Sequence, residues 1–139
     1  MSLYVLDTDI LTLFQTGDPA VIRNAANHVT DNVVISVISV EEQLSGWYTQ
    51  IRRAKQRTVL ASVYQRLAMN VQFLAGTPIL SFTEPAIIRY EGLKALRLNV
   101  RKKDLCIAAR TLQEGGVLVT RNLRDFRRIP NLVVEDWAV

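Results

Sequence analysis

At 139 residues, 49% of them hydrophobic, the chain suits one domain that can bury a core without disulfides or a structural metal. A single cysteine and a single histidine exclude an intrachain disulfide, a Cys/His zinc site and, in practice, a Ser-His-Asp or Cys-His mechanism, in which His28 would have to be the base. The net charge of +4 is unevenly spread: residues 1–50 hold Arg23 against six acidic residues, a balance of −5, and the rest carry sixteen basic against seven acidic, a balance of +9.

An acidic cluster inside a basic protein is what a metal-dependent enzyme acting on a polyanion needs, although basic residues also coat solvated helix faces. There is no Lys/Arg-led apolar leader and no apolar run of the ~18 residues a membrane span requires, so the expectation is a soluble cytoplasmic protein.

The unalternating run Leu3-Tyr4-Val5-Leu6 predicts a central parallel strand covered on both faces, stopping at Asp7-Thr8-Asp9. Ligands of open α/β sheets sit beyond the carboxyl ends of such strands, which puts Asp7 where a site is built. The competing reading is that Asp7 or Thr8 only caps the helix beginning near Ile10. That helix runs from Ile10 to Phe14 and ends near Gly17; Pro19 opens a second, with Val21, Ile22, Ala25 and Ala26 on one side. His28, near its end where a cation is favoured by the helix dipole, reads as structural.

Asn32 to Ile38 reads as the second strand. It runs into Ser39-Val40-Glu41-Glu42, which has the form of a capping box for a helix through about Trp47 or beyond. A box glutamate turns back toward the N-cap amide, whereas a ligand points off the strand end, so the two roles of Glu42 compete. After the basic run from Arg52 to Arg57, residues Leu60, Val63, Tyr64, Leu67, Val71 and Leu74 recur at helical spacing up to Gly76. They predict a long amphipathic helix whose stripe is core or an interface. Pro78 to Phe82 reads as a short strand, and Thr83 as the cap of a helix with Pro85 in its first turn and Ile87, Ile88, Tyr90 and Leu93 buried.

Four basic residues between Arg97 and Lys103 lead to Asp104, which opens a helix from Leu105 to Glu114 closed by Gly115-Gly116. Cys106, inside its apolar run, reads as a buried thiol. Val117 to Val119 is the next strand, ending in Thr120-Arg121-Asn122-Leu123-Arg124-Asp125-Phe126, and Leu132 to Val134 is the last. Strands alternate with helices and no linker interrupts them, which predicts one α/β domain over residues 1–139 around a parallel sheet.

Three strand-to-helix junctions therefore carry a carboxylate in the same structural place: Asp7, Glu42 and Asp104. A fourth offers Thr120 and Asn122, with Asp125 three residues further on. Crowded carboxylates repel and raise one another's pKa unless a cation sits among them, and an all-oxygen donor set favours Mg²⁺ or Mn²⁺ over Zn²⁺. Such ions suit phosphodiester hydrolysis by an activated water. Arg97, Arg101, Lys102, Lys103, Arg121 and Arg124, beside the acidic edge, are candidates for phosphate contacts.

The stretches Tyr4 to Asp9, Ile35 to Glu42, Lys103 to Ala109 and Leu118 to Phe126, with Arg128 to Leu132 and Glu135-Asp136-Trp137 after them, resemble the successive motifs of PIN-domain nucleases, most closely the VapC-type toxins of bacterial toxin-antitoxin pairs. The resemblance implies a three-layer α/β/α domain and a metal-dependent endoribonuclease with Asp7, Glu42 and Asp104 as metal ligands. It further implies a homodimer held in check by a small antitoxin lying over the active-site groove. Asp9, Glu41 and Gln43 depart from the usual pattern, and Asn122 aligns with a position that often carries aspartate. Asn122 is expected inside the site with Asp125 as an outer contributor. Two rivals stand beside this reading: a phosphatase with Asp7 as covalent nucleophile and Asp9 as acid/base, and a non-catalytic RNA- or partner-binding module of the same fold.

Overall fold

A computed structural model describes residues 2–29 and 32–139. The first strand, β1 (Tyr4–Leu6), lies at the centre of a five-stranded sheet with β2 (Val33–Ser36), β3 (Ile79–Leu80), β4 (Val117–Val119) and β5 (Val133–Glu135) in the order β3-β2-β1-β4-β5, every pairing parallel. Successive side chains of these strands enter different cores. Val5, Val34 and Leu118 join one, and Leu6, Ile35 and Val119 join the other. That is why the three central strands read as mostly apolar runs: both of their faces are covered.

The first core is closed by α5 (Glu84–Ala95), α6 (Lys102–Glu114) and Phe126 of the short α7 (Leu123–Phe126). The second is closed by α1 (Thr8–Gln15), α2 (Pro19–Ala26), Leu74 of α4 (Arg57–Ala75) and Trp137. The remaining helix, α3 (Val37–Arg53), feeds Ile38 to one side and Val40 to the other. The result is the expected three-layer α/β/α arrangement. No described helix is long and apolar enough to cross a membrane. The structural reading of His28 is also met: its ring stacks on Trp137 and lies 4.2 Å from the ring of Tyr4, and its Nδ1 is 2.9 Å from the Asn24 carbonyl.

Several helix boundaries differ from expectation. The first helix starts at Thr8, two residues early, because Asp7 caps it through the Ile10 amide. The third starts at Val37, capped by buried Ser36, whose Oγ accepts from the Ile38 amide at 3.0 Å. Ser39 is therefore not an N-cap, the proposed box does not form, and Glu42 lies a turn inside the helix, free of capping duty. α6 begins at Lys102 and follows α5, so Asp104 sits in the first turn of a helix that comes after another helix and not at a strand-to-helix junction.

Two apolar stripes are only partly core. Along α4, Val63 and Leu74 are buried but Tyr64 and Val71 are about half exposed, because this helix packs along α3 instead of lying flat on the sheet. On α5, Ala86 and Leu93 face α6, two turns apart, while Ile87 and Ile88 point outward.

Candidate functional site

From β1 the chain continues to β2 on one side of the sheet, and β4 lies on the other, so a crevice opens where the connections diverge. Asp7 occupies the carboxyl end of β1, with its amide bound to the Val119 carbonyl at 3.0 Å. Thr120 follows β4 and Ser36 ends β2. A cleft of about 330 Å³ lies here, lined by Asp7, Thr8, Asp9, Arg101, Asp104, Arg121, Asn122 and Phe126. Three larger hollows lie elsewhere, about 490, 630 and 390 Å³; the first two have no carboxylate among their lining residues and the third has Glu41 alone.

Asp7 and Asp104, from β1 and α6, are both buried. The Asp7 carboxyl is pushed up to about 6, chiefly by burial. Hydrogen bonds from the Thr120 side chain and the Ile10 amide pull it back, and the charges of Asp9 and Asp104 add to the rise. Glu42 does not line the cleft itself but is tied to it. Thr8 Oγ1 lies 2.6 Å from Glu42 Oε1 and 2.9 Å from Ser39 Oγ, which is fully buried in the first turn of α3. Thr8 thus joins the acid from β2's side of the sheet to the one after β1.

Two arginines answer the acids. Arg101 forks Asp104, Nε to Oδ2 at 3.1 Å and Nη2 to Oδ1 at 3.2 Å, and its Nη2 is 3.9 Å from Glu42 Oε2. Arg121 forks Asp9 at 2.7 and 2.9 Å. The second pair joins residues 112 positions apart, and no local signal in the chain announces it. Phe126, buried and lining the cleft, is likewise announced by no local signal. Of the other basic candidates, Lys103 pairs with Glu41 at 2.6 Å, and Arg97, Lys102 and Arg124 lie outside the cleft.

At the fourth junction Asn122 lines the cleft while Asp125 does not. Asn122 is also the cap of α7: its Oδ1 accepts from the Asp125 amide and its Nδ2 donates to Asp125 Oδ2 at 2.9 Å. The Asp125 carboxylate pairs with Arg128 at 3.3 Å.

The ligating side-chain atoms that Asp7, Thr8, Asp104 and Asn122 offer around the cleft are oxygens, and the Asp7 carboxyl, raised chiefly by burial, is one that a bound cation would hold ionised. Both observations fit a hard divalent cation. Among the described residues no three metal-ligating side chains converge closely enough to hold an ion as they stand. Glu42 is bonded by Thr8, and Asp104 is engaged by Arg101.

No family model matches the chain. It is 29% identical over 139 residues to a tRNA(fMet)-specific endonuclease VapC of Salmonella typhimurium and 26% identical over 140 residues to Ribonuclease VapC2 of Rickettsia felis, each alignment covering 97% of this chain and 98% of the relative. Among solved structures, DNA-bound VapBC from Salmonella typhimurium superposes with a TM-score of 0.78 at 27% identity, covering 99% of both chains.

Proposed function

We infer from this whole-length likeness that the chain is a VapC-type PIN-domain toxin, a single nuclease domain over residues 1–139 that cleaves RNA and is restrained by a small antitoxin. The observation that carries the reading is the meeting of Asp7 and Asp104 in one cleft at the sheet's switch point, with Glu42 linked to it through Thr8. Asp7, Glu42 and Asp104 are the residues that would hold Mg²⁺ or Mn²⁺. Such an ion, when bound, supplies activation of water and relief of charge at the phosphodiester.

The protein's own groups set the stage for that chemistry. Thr120 and the Ile10 amide fix the Asp7 carboxylate, and Thr8 fixes Glu42. Arg101 and Arg121, the two basic candidates that line the cleft, are placed to meet the RNA backbone. A homodimer is part of the same reading. Asp9, which an aspartyl-phosphate mechanism would use as acid/base, is instead forked by Arg121 as an anion, and this weighs against the phosphatase.

Asp7→Asn and Asp104→Asn test the assignment. The first keeps a side-chain oxygen for the α1 cap, so the fold should survive, while RNA cleavage in Mg²⁺ or Mn²⁺ should fall on the order of a hundredfold or more in either variant. Cleavage at the wild-type rate by either folded variant overturns the assignment.

A further inference from the structure

We propose that Arg101 is a built-in countercharge for the metal-binding carboxylates, which a divalent cation displaces and which is then delivered to the phosphate backbone of bound RNA. The inference rests on Asp104 and Glu42 being cation ligands. One guanidinium here engages acids from two different helices, forking Asp104 of α6 and approaching Glu42 of α3. Those are the oxygens a cation needs, and a guanidinium forked across both oxygens of Asp104 competes with a divalent ion for them.

The exposures of the partners are unequal. The Arg101 side chain is 71% exposed, whereas those of Asp104 and Glu42 are 10% and 19% exposed. The acids are largely enclosed; the arginine reaches in with most of its side chain in solvent. Arg110 shows what a fixed arginine looks like in this protein: 8% exposed, bound to the Ser81 carbonyl and to Glu114. Arg101 belongs to neither hydrophobic core.

Nor does local structure require an arginine at this position. Residue 101 is the N-cap of α6 and makes no side-chain capping bond. A helix N-terminus favours an anion, which Asp104 supplies, and disfavours the cation that Arg101 adds. Its placement is therefore accounted for by the cleft rather than by the helix. Ion pairs with a mostly exposed partner are weak, so a cation can displace Arg101 without large cost. Once displaced, the guanidinium stands at the rim with Arg121, where a phosphate must lie. Because the coupling is reciprocal, RNA that draws Arg101 away also tightens the hold on the cation.

The test is a calorimetric Mn²⁺ titration of metal-free wild type and Arg101→Met, without RNA. The variant should bind Mn²⁺ about three- to tenfold more tightly. Arg101→Gln, polar and shorter, serves where the methionine variant fails to fold, and should shift affinity the same way. At saturating Mn²⁺ the variant should raise KM for RNA with little change in kcat. Unchanged or weaker Mn²⁺ binding overturns the proposal; unchanged KM overturns delivery to RNA. Wild-type binding that is lost in Asp104→Asn yet untouched by Arg101→Met leaves the nuclease reading intact and the proposal refuted. Absence of Mn²⁺ binding in wild type and variant refutes the proposal together with its premise.

Discussion

Asp7 holds the charge of the cleft and the cap of α1 with one side chain, so its protonation ties the site to stability. Its folded pKa of about 6 lies above the ordinary aspartate value of 3.8. Between those pH values the native state binds more protons than the unfolded chain, so the Asp7 contribution makes stability fall as pH rises through the window and level off above it. At neutral pH the ionised carboxylate costs at most about 3 kcal/mol, taking about 1.36 kcal/mol for each pH unit between the two values. Metal-free Asp7→Asn should therefore melt higher than wild type at pH 7, with the gap closing as pH falls toward 4. Melting curves across that range check it; a gap that is constant with pH rules out the raised carboxyl as its source. Asp104, equally buried, differs in having an arginine fork on it.

At the level of elements, the site depends on where helices start and how closely strands approach. α3 is capped by Ser36 and not Ser39, and those three residues release Glu42 from a capping role and point it toward Thr8. The return from α6 to β4 depends on two glycines with different duties. Gly115 adopts a left-handed conformation, φ 65°, at the helix end. Gly116 lies against the chain entering β1: a Cβ there would be 2.8 Å from the Leu3 carbonyl oxygen, a backbone atom that cannot turn aside. Gly116→Ala should force β4 away from β1 and destabilise by about 1–3 kcal/mol. Gly115→Ala, with open space around it, should cost about 1 kcal/mol through φ alone. Urea unfolding of both variants measures the difference, and equal small losses would show that β1 and β4 tolerate the separation.

For the whole molecule, the parallel order β3-β2-β1-β4-β5 makes one edge of the sheet the meeting place of acids that are far apart in the chain. The apolar side chains left outward on α4 and α5, Tyr64 and Met69 on one and Ile88 on the other, are surface that a partner or a second copy can cover. We expect the small protein encoded beside this gene, coexpressed with the chain, to copurify with it, to relieve growth arrest and to suppress RNA cleavage. Light scattering of that complex should count two copies of the chain. A neighbour that neither binds nor inhibits defeats the toxin reading while leaving the nuclease reading in place, and a single copy defeats the homodimer.

Local signals in the chain, apolar runs and punctuating residues, were enough for the order of strands and helices, the burial of β1, β2 and β4 on both faces, and Asp7 at the end of β1; Glu42, a turn inside α3, and Asp104, in a helix that follows α5, do not sit at strand-to-helix junctions. The sequence by itself also supported His28 as structural. Tertiary structure alone decided which serine caps α3, since Ser36 and Ser39 are both competent caps and only packing selects one. The same holds for the outward turn of Tyr64, Val71, Ile87 and Ile88, because helical periodicity marks an apolar face without saying how much of it a neighbour covers. Most of all, it decided the pairing of Arg121 with Asp9 and of Arg101 with Asp104 and Glu42. Charges interact through space and not along the chain, so which cation meets which acid follows from the strand order that brings them to one edge.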